Sequence, residues 1–236
     1  MEEIKGILID SGRVLNFPTT GNWSYSPDFF NIVDKDKFDK IPKHKRKEAF
    51  SKAWKYLDSE NYVSTIEEEE KIFKKFFEII FSEISELGID NNKIELLTKD
   101  MVYNYKKVTF FQDVFQIIPK LKEKYKLVIV SDAWPSIREV YKNADLYKYF
   151  EDIIISSEIG VCKPHENMYL TALKKVNLKP SEVIFIDDCP FNCDGASKLG
   201  IKSIILERNF INRLNYKFRL RTKHKIIKNL YELDIK

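Results

Sequence analysis

Residues 7–15 read Ile-Leu-Ile-Asp-Ser-Gly-Arg-Val-Leu. Three aliphatic residues run into Asp10 with no polar interruption, and the run is too brief for a helix. A strand without polar alternation is buried on both faces, the usual condition inside a parallel sheet. The same kind of text recurs along the chain. Residues 4–9, 126–130, 152–155, 182–186 and 201–206 are short runs rich in Ile and Val. Helical patterns lie between most of them, at about 113–124, 135–144, 166–176 and 191–199. Strands alternating with helices predict an α/β fold built on a doubly wound parallel sheet.

Residues 17–108 are written differently. After the aromatic loop FPTTGNWSYSPDFF they read as helices only, at roughly 35–58, 65–87 and 91–106. The stretch from Thr65 opens with an N-cap threonine and acids in its first turns. Apolar residues then follow at 72, 73, 76, 77, 80, 81 and 84, one face of a helix. The run Glu67–Glu70 reads as the solvated start of that helix. The chain is therefore expected to form a core from residues 1–16 and 109–236, with 17–108 inserted as an all-helical cap domain. An insertion directly after the first strand would lie over the carboxyl ends of the strands, where open α/β sheets bind ligands.

Composition narrows the class. At 236 residues and 44% hydrophobic, the chain can bury a substantial core unaided. No apolar run approaches the roughly 20 residues needed to cross a bilayer, so no membrane partner is expected. The opening MEEIKG lacks the basic, apolar and small-residue order of a secretory signal, which predicts a cytoplasmic protein. Three cysteines, Cys162, Cys189 and Cys193, are an odd count that points to reduced thiols. Cys189 and Cys193 are spaced to reach one metal from successive helical turns, or simply to pack.

The formal charge of +4 is a modest excess among 32% charged residues and does not call for nucleic acid. The tail is less even, with nine Lys/Arg against two acids from Arg208 onward. Such a tail can bind nucleic acid, but YKFRLRTK alternates basic and apolar residues as a half-exposed edge strand does, where lysines discourage aggregation.

The chemistry-bearing residues stand at strand ends. The first strand ends at Asp10, KLVIVSD at Ser131 and Asp132, and EVIFIDD at Asp187 and Asp188. ISSEIGVCKPHE, between the third strand and the next helix, carries Lys163. A parallel sheet brings these to one edge. Clustered carboxylates raise one another's pKa unless a cation joins them, and hard oxygen ligands of this kind suit Mg²⁺ with a substrate phosphate. Lys163 would offset charge on a phosphoryl group and the Ser131 hydroxyl would donate to it. The set fits phosphoryl transfer.

These motifs resemble those of the haloacid dehalogenase-like superfamily, across the whole core and in the same order. ILIDSGRVL resembles the first motif, hhhDxDGT, at Asp10. LVIVSD resembles the second at Ser131 and CKPHE the third at Lys163. IFIDDCPFNCDGASKLG resembles the fourth at Asp187, Asp188 and Asn192. The resemblance implies that Asp10 is a nucleophile forming an aspartyl-phosphate. It implies Mg²⁺ on Asp10, on the Gly12 carbonyl and on Asp188, with Asp187 in direct or water-mediated support. Ser131 and Lys163 would hold the phosphoryl oxygens, Asp132 would stand with them at the substrate, and Asn192 would orient the loop. The inserted helices look like the family's small helical cap.

Gly12 departs from the pattern. Most phosphatases of the family carry there a second aspartate, which protonates the leaving group and then activates water. General acid/base help of this kind is worth about 10²- to 10⁴-fold in rate. Some members, including ones acting on sugar phosphates, are similar to this chain in having glycine. Asp132 is the nearest candidate replacement, or else a hydrogen-bonding residue that holds its loop. Tyr25 and Trp23 either reach the substrate or pack, and Arg13 either adds charge near the leaving group or faces solvent. His165 reads as the start of the helix after Lys163.

Three functions follow. The first is a Mg²⁺-dependent phosphatase for a small phosphorylated metabolite, such as a sugar phosphate. The second is a catalytically impaired protein that binds a phosphorylated ligand or partner. The third is a 2-haloacid dehalogenase, whose chemistry needs no metal and whose family members usually have an aromatic residue at the Gly12 position. Monomer and homodimer both remain open.

Overall fold

The computed structural model describes residues 3–60 and 62–234; Lys236 of the basic tail lies outside them. In chain order the elements are β1 (Gly6–Ile9), β2 (Asn16–Pro18), α1 (Phe29–Ile32), α2 (Lys35–Lys40), α3 (Lys43–Ser59), α4 (Ile66–Glu83) and α5 (Asn91–Tyr103). There follow β3 (Val108–Phe110), α6 (Gln112–Lys122), β4 (Lys126–Ser131), α7 (Ile137–Asn143), β5 (Asp152–Ile155), α8 (Ser156–Ile159) and α9 (Glu166–Val176). The chain closes with β6 (Val183–Asp187), α10 (Pro190–Lys198), β7 (Lys202–Leu206), α11 (Phe210–Phe218) and β8 (Lys225–Ile227).

Two compact units result. One takes the chain up to Phe17, Thr109–Ala133 and everything from Tyr141 onward. It is a six-stranded sheet in the order β5-β4-β1-β6-β7-β8, every neighbouring pair parallel, flanked by helices. This is the α/β, doubly wound parallel fold. From β1 the chain steps outward through β4 to β5, then returns to the other side of β1 for β6, β7 and β8. The strand order therefore reverses at β1, and a crevice opens beyond the carboxyl ends there. The register matters too, because Ile9 lies level with Ile129 of β4 and with Ile186 of β6. The residues after them, Asp10 and Asp187, consequently leave the sheet side by side. Leu8, Val128, Val130, Ile154 and Phe185 pack against Met168, Tyr169 and Ala172 of α9 and Ala196 of α10, all buried.

The second unit, Pro18–Val108 with Trp134–Val140, is helical. Its core is aromatic, with Phe29, Phe38, Phe76 and Phe77 buried beside Ala49, Ala53, Ile80 and Leu97. Thr65 caps α4 through the Glu68 amide at 3.2 Å, and the Glu68 side chain accepts from the Thr65 amide in return. The expected helix 35–58 is two helices, because Pro42 cannot continue α2 and instead precedes α3.

Two further sequence expectations are corrected. Glu69 is not solvated but 1% exposed, and its carboxylate accepts from the Ser136 amide at 2.7 Å and from the Ser136 hydroxyl. It lies three and four residues before Ile72 and Phe73, on the buried face of α4, and Ser136 and Lys107 supply the partners that make its burial tolerable. YKFRLRTK is not an edge strand. Its first three residues end α11, which starts where the Asn209 side chain accepts from the Ile211 and Asn212 amides. The edge strand of this segment is β8, on the far side of β7; β5 forms the other edge of the sheet. Among the described residues no helix is long and apolar enough to cross a membrane.

Candidate active site

The candidate catalytic and metal-binding residues all lie in the α/β unit. Asp10 follows β1, Ser131 ends β4, Asp187 ends β6 and Asp188 follows it, while Lys163 sits between α8 and α9. The Asp10 amide donates to Ile186 O at 2.8 Å, which ties its backbone to the neighbouring strand.

Lys163 organises the centre. Its ammonium donates to Asp10, to Asp187 Oδ2 at 2.8 Å and to Val130 O at 3.0 Å, with the side chain only 2% exposed. Burial works against that charge, but Asp10, Asp187 and Asp132 outweigh it and hold the Lys163 pKa well above its ordinary value. The loop is pinned from behind as well. Asp132 Oδ1 accepts the Lys163 amide at 2.9 Å, so Asp132 is engaged in holding the Lys163 loop. Burial raises its pKa. Gly195 of α10 lets this loop close in, since a Cβ there would stand 2.5 Å from Pro164 Cβ and 3.0 Å from Pro164 O.

The acids converge. One oxygen from each of Asp10, Asp187 and Asp188 lies within 4.8 Å of the others, the only such group of three or more metal-ligating side chains among the described residues. Burial raises the Asp10 pKa well above the carboxylate range; Lys163 pulls against this while Asp187 and Asp188 add to it. Burial and then Asp187 push Asp188 up to about 6, with Arg13 opposing. Burial is the larger cause of both shifts, and the mutual repulsion of the three acids adds to it. Clustered hard oxygens fit a divalent cation such as Mg²⁺. In the turn after Asp10, Ser11 O accepts the Leu15 and Asn16 amides and Asn16 O accepts the Arg13 amide; the Gly12 carbonyl takes none of these bonds.

The remaining candidates separate. Asn192 donates to both Asp187 oxygens, at 3.2 and 3.1 Å, and the Cys189 amide adds a third bond at 2.8 Å. Arg13 adopts φ 62°, in the left-handed region, and its guanidinium stands 3.7 Å from Asp188 Oδ2 with 71% of the side chain exposed. Tyr25 packs in the helical unit among Phe29, Phe30, Phe38 and Phe50. His165 begins α9, where its Nδ1 accepts the Asn167 amide. Cys193 is buried in the core, and burial pushes its thiol pKa up. No third metal-ligating side chain joins it and Cys189 among the described residues.

Sequence reasoning missed a buried network behind the nucleophile candidate. Ser11 Oγ lies 2.8 Å from the Tyr141 hydroxyl, and Asn16 Nδ2 donates to Ser11 Oγ at 2.8 Å and to Tyr141 at 3.2 Å. All three residues are at most 2% exposed. Ser11 and Asn16 were visible beside Asp10, but their partner is 130 residues away on α7 and carries no local signal.

Comparison with known proteins follows the same lines. A family model described as haloacid dehalogenase-like hydrolase matches residues 30–206. The glyceraldehyde 3-phosphate phosphatase of Pyrococcus furiosus is 31% identical over 110 residues, 44% of this chain and 46% of that protein. The (S)-2-haloacid dehalogenase of Xanthobacter autotrophicus is 25% identical over 114 residues, 48% of this chain and 44% of that protein. Both matches thus span less than half the length of these curated relatives. Among solved structures, a HAD phosphatase from Thermococcus onnurineus has a TM-score of 0.66 at 19% identity, covering 97% of this chain and 95% of that one. The L-2-haloacid dehalogenase of Xanthobacter autotrophicus has a TM-score of 0.60 at 17% identity, covering 96% and 95%. At these identities the structural likeness is one of fold. With residues 30–206 matched and the parallel sheet shared, this chain belongs to the haloacid dehalogenase-like hydrolases.

Proposed function

We propose that this hydrolase is a Mg²⁺-dependent phosphatase acting on a small phosphorylated metabolite, such as a sugar phosphate. The observation that carries the reading is the convergence of Asp10, Asp187 and Asp188, one oxygen of each lying within 4.8 Å of the others. Hydrolysis of a carbon–halogen bond by a carboxylate requires no cation, and such a cluster would burden it with repulsion. Glyceraldehyde 3-phosphate phosphatases among the relatives support the same side, although dehalogenases are relatives too.

In this reading Asp10 attacks phosphorus, and the aspartyl-phosphate formed is opened by water in a second step. Asp10, the Gly12 carbonyl and Asp188, with Asp187 in support, would hold Mg²⁺, which would supply positive charge for a phosphoryl dianion among the carboxylates. Lys163, hydrogen-bonded to Asp10 and Asp187, offers its charge to phosphoryl oxygens, and Ser131, at the end of the neighbouring strand, donates to them. Asp132 positions Lys163, and Asn192 holds Asp187. No side chain at residue 12 protonates the leaving group, so leaving groups that depart as stable anions are favoured.

The test is phosphate release from an aryl phosphate and a panel of sugar and nucleotide phosphates, with Mg²⁺ or with chelator, beside Asp10→Asn. Turnover requiring both Mg²⁺ and Asp10 supports the proposal. Turnover of a 2-haloacid with chelator present, or folded protein silent on the whole panel, overturns it; the second result favours an impaired protein that binds a phosphorylated ligand.

A further inference from the structure

Helix α11 is built inside out. Its polar side chains turn toward the protein: Asn212 Nδ2 donates to Glu207 Oε2 at 3.1 Å, and Arg213 donates to the carbonyls of Glu207 and Arg208 at 2.9 and 2.8 Å. Tyr216 packs half-buried on the core. The apolar side chains face out, with Phe210, Ile211 and Phe218 exposed by 64%, 67% and 63% and Leu214 by 40%. At 3.6 residues per turn these four share one arc of about 100°. An ordinary surface helix presents the opposite arrangement.

Charge completes the pattern. Exposed Lys217 lies beside the arc, and exposed Arg219, Arg221 and Lys223 follow the helix, interleaved with Leu220 at 55% exposure. From Arg208 to Tyr231 there is not one Asp or Glu. Large apolar side chains on an exposed helix, with long-stemmed cations beside and after them and no acid in the same stretch of chain, are the features of a helix that lies in a membrane interface.

We propose that this face docks on a lipid surface bearing anionic headgroups. Phe210, Ile211, Leu214 and Phe218 enter the acyl boundary while Lys217, Arg219, Arg221 and Lys223 stay level with the headgroups. A second copy of the chain is a poorer occupant, because an isologous contact would set these cations against their own symmetry mates. Nucleic acid is poorer as well, since Ile211, Leu214 and Leu220 have no ring on which bases stack. This is a peripheral contact and not a span, and it does not depend on the catalytic reading.

Co-sedimentation with vesicles tests it, using phosphatidylcholine alone and phosphatidylcholine mixed with phosphatidylserine. Binding is expected on the mixed vesicles, at least about tenfold tighter than on phosphatidylcholine, and it should weaken several-fold on raising salt from about 50 to about 300 mM. Phe210→Ser with Phe218→Ser, both at solvent-facing positions, should cut the partition coefficient about tenfold. Lys217→Gln with Arg219→Gln should remove the preference for phosphatidylserine while leaving the unfolding midpoint unchanged. The proposal is overturned by absence of binding to either vesicle, or by binding indifferent to both double variants. A dimer in gel filtration that the phenylalanine variant dissolves would overturn it too, assigning the face to a second copy.

Discussion

Lys163 Nζ lies 2.8 Å from Asp187 Oδ2 and donates to Asp10 as well, with its side chain 2% exposed. One buried ammonium thus serves two buried carboxylates, and its removal leaves them facing each other without the cation they share. Lys163→Met is expected to lower stability at neutral pH by about 3 to 5 kcal/mol. The sign with pH follows from the shifts. The lysine's pKa is raised, so its contribution is whole below the ordinary lysine range and fades only as pH rises through the raised value. The variant's deficit should shrink in acid, where Asp10, itself raised, takes up a proton. Urea unfolding of both proteins at several pH values measures this, and a deficit below about 1 kcal/mol at neutral pH would refute it.

Asp188 predicts a coupling between protons and metal. With a folded pKa of about 6 against an ordinary 3.8, the folded chain holds this proton more tightly than the unfolded one. Stability without metal should therefore fall as pH rises from about 4 to about 6, by up to roughly 3 kcal/mol, and stay level above. A divalent cation competes for the same oxygens, so the rise in Tm caused by Mg²⁺ should be larger at neutral pH than at pH 5. Asp188→Asn should stabilise the metal-free protein at neutral pH and abolish the Mg²⁺ response. Thermal scans with Mg²⁺ and with chelator decide the matter; an equal Mg²⁺ response in the variant would rule out Asp188 as a ligand.

Gly195 matters for the space it leaves beside Pro164. Its absent side chain admits Pro164, whose Cβ would stand 2.5 Å from a methyl group there, with Tyr169 Oη at 3.2 Å. The contact is against the residue directly after Lys163, so the loop must move and carry the lysine with it. Gly195→Ala should cost about 1 to 3 kcal/mol. It should also reduce kcat on any phosphate ester that is turned over, although the methyl group is on α10 and not in the centre. An unfolding midpoint and kcat both equal to wild type would contradict the close approach.

Much of this was legible in the sequence because burial on both faces leaves unbroken aliphatic runs. β1, β4, β5, β6 and β7 announce themselves in that way, and the acids that end β1 and β6 inherit their convergence from parallel order. Long-range pairing was not legible. Glu69 looks like one acid of four, and only its phase three residues before Ile72 hints at burial, while Ser136 is 67 residues away. Tyr141 is likewise invisible from Ser11. The helix α11 was misread because alternating basic and apolar residues over 216–223 have the period of a strand, whereas the cap that sets the phase, Asn209, lies before that stretch. The bond from the Lys163 amide to Asp132 joins residues 31 apart and was not legible either.

Gly12 stands where most phosphatases of the family carry a second aspartate. Gly12 is not among the residues with positive φ, although Arg13 beside it has φ 62°. An aspartate at residue 12 therefore needs no left-handed backbone. If the chain is a phosphatase lacking a general acid, Gly12→Asp should raise kcat on alkyl phosphates by about 10²-fold, within the usual range of such assistance. Aryl and acyl phosphates depart as stabilised anions and should change by less than about tenfold. Wild-type enzyme should accordingly turn over the aryl and acyl esters faster than the alkyl ones, and the variant should narrow that gap. A wild type that treats both classes alike, with a variant that gains nothing on either, would mean that another group already donates the proton, and would send the search to the side chains around Asp10.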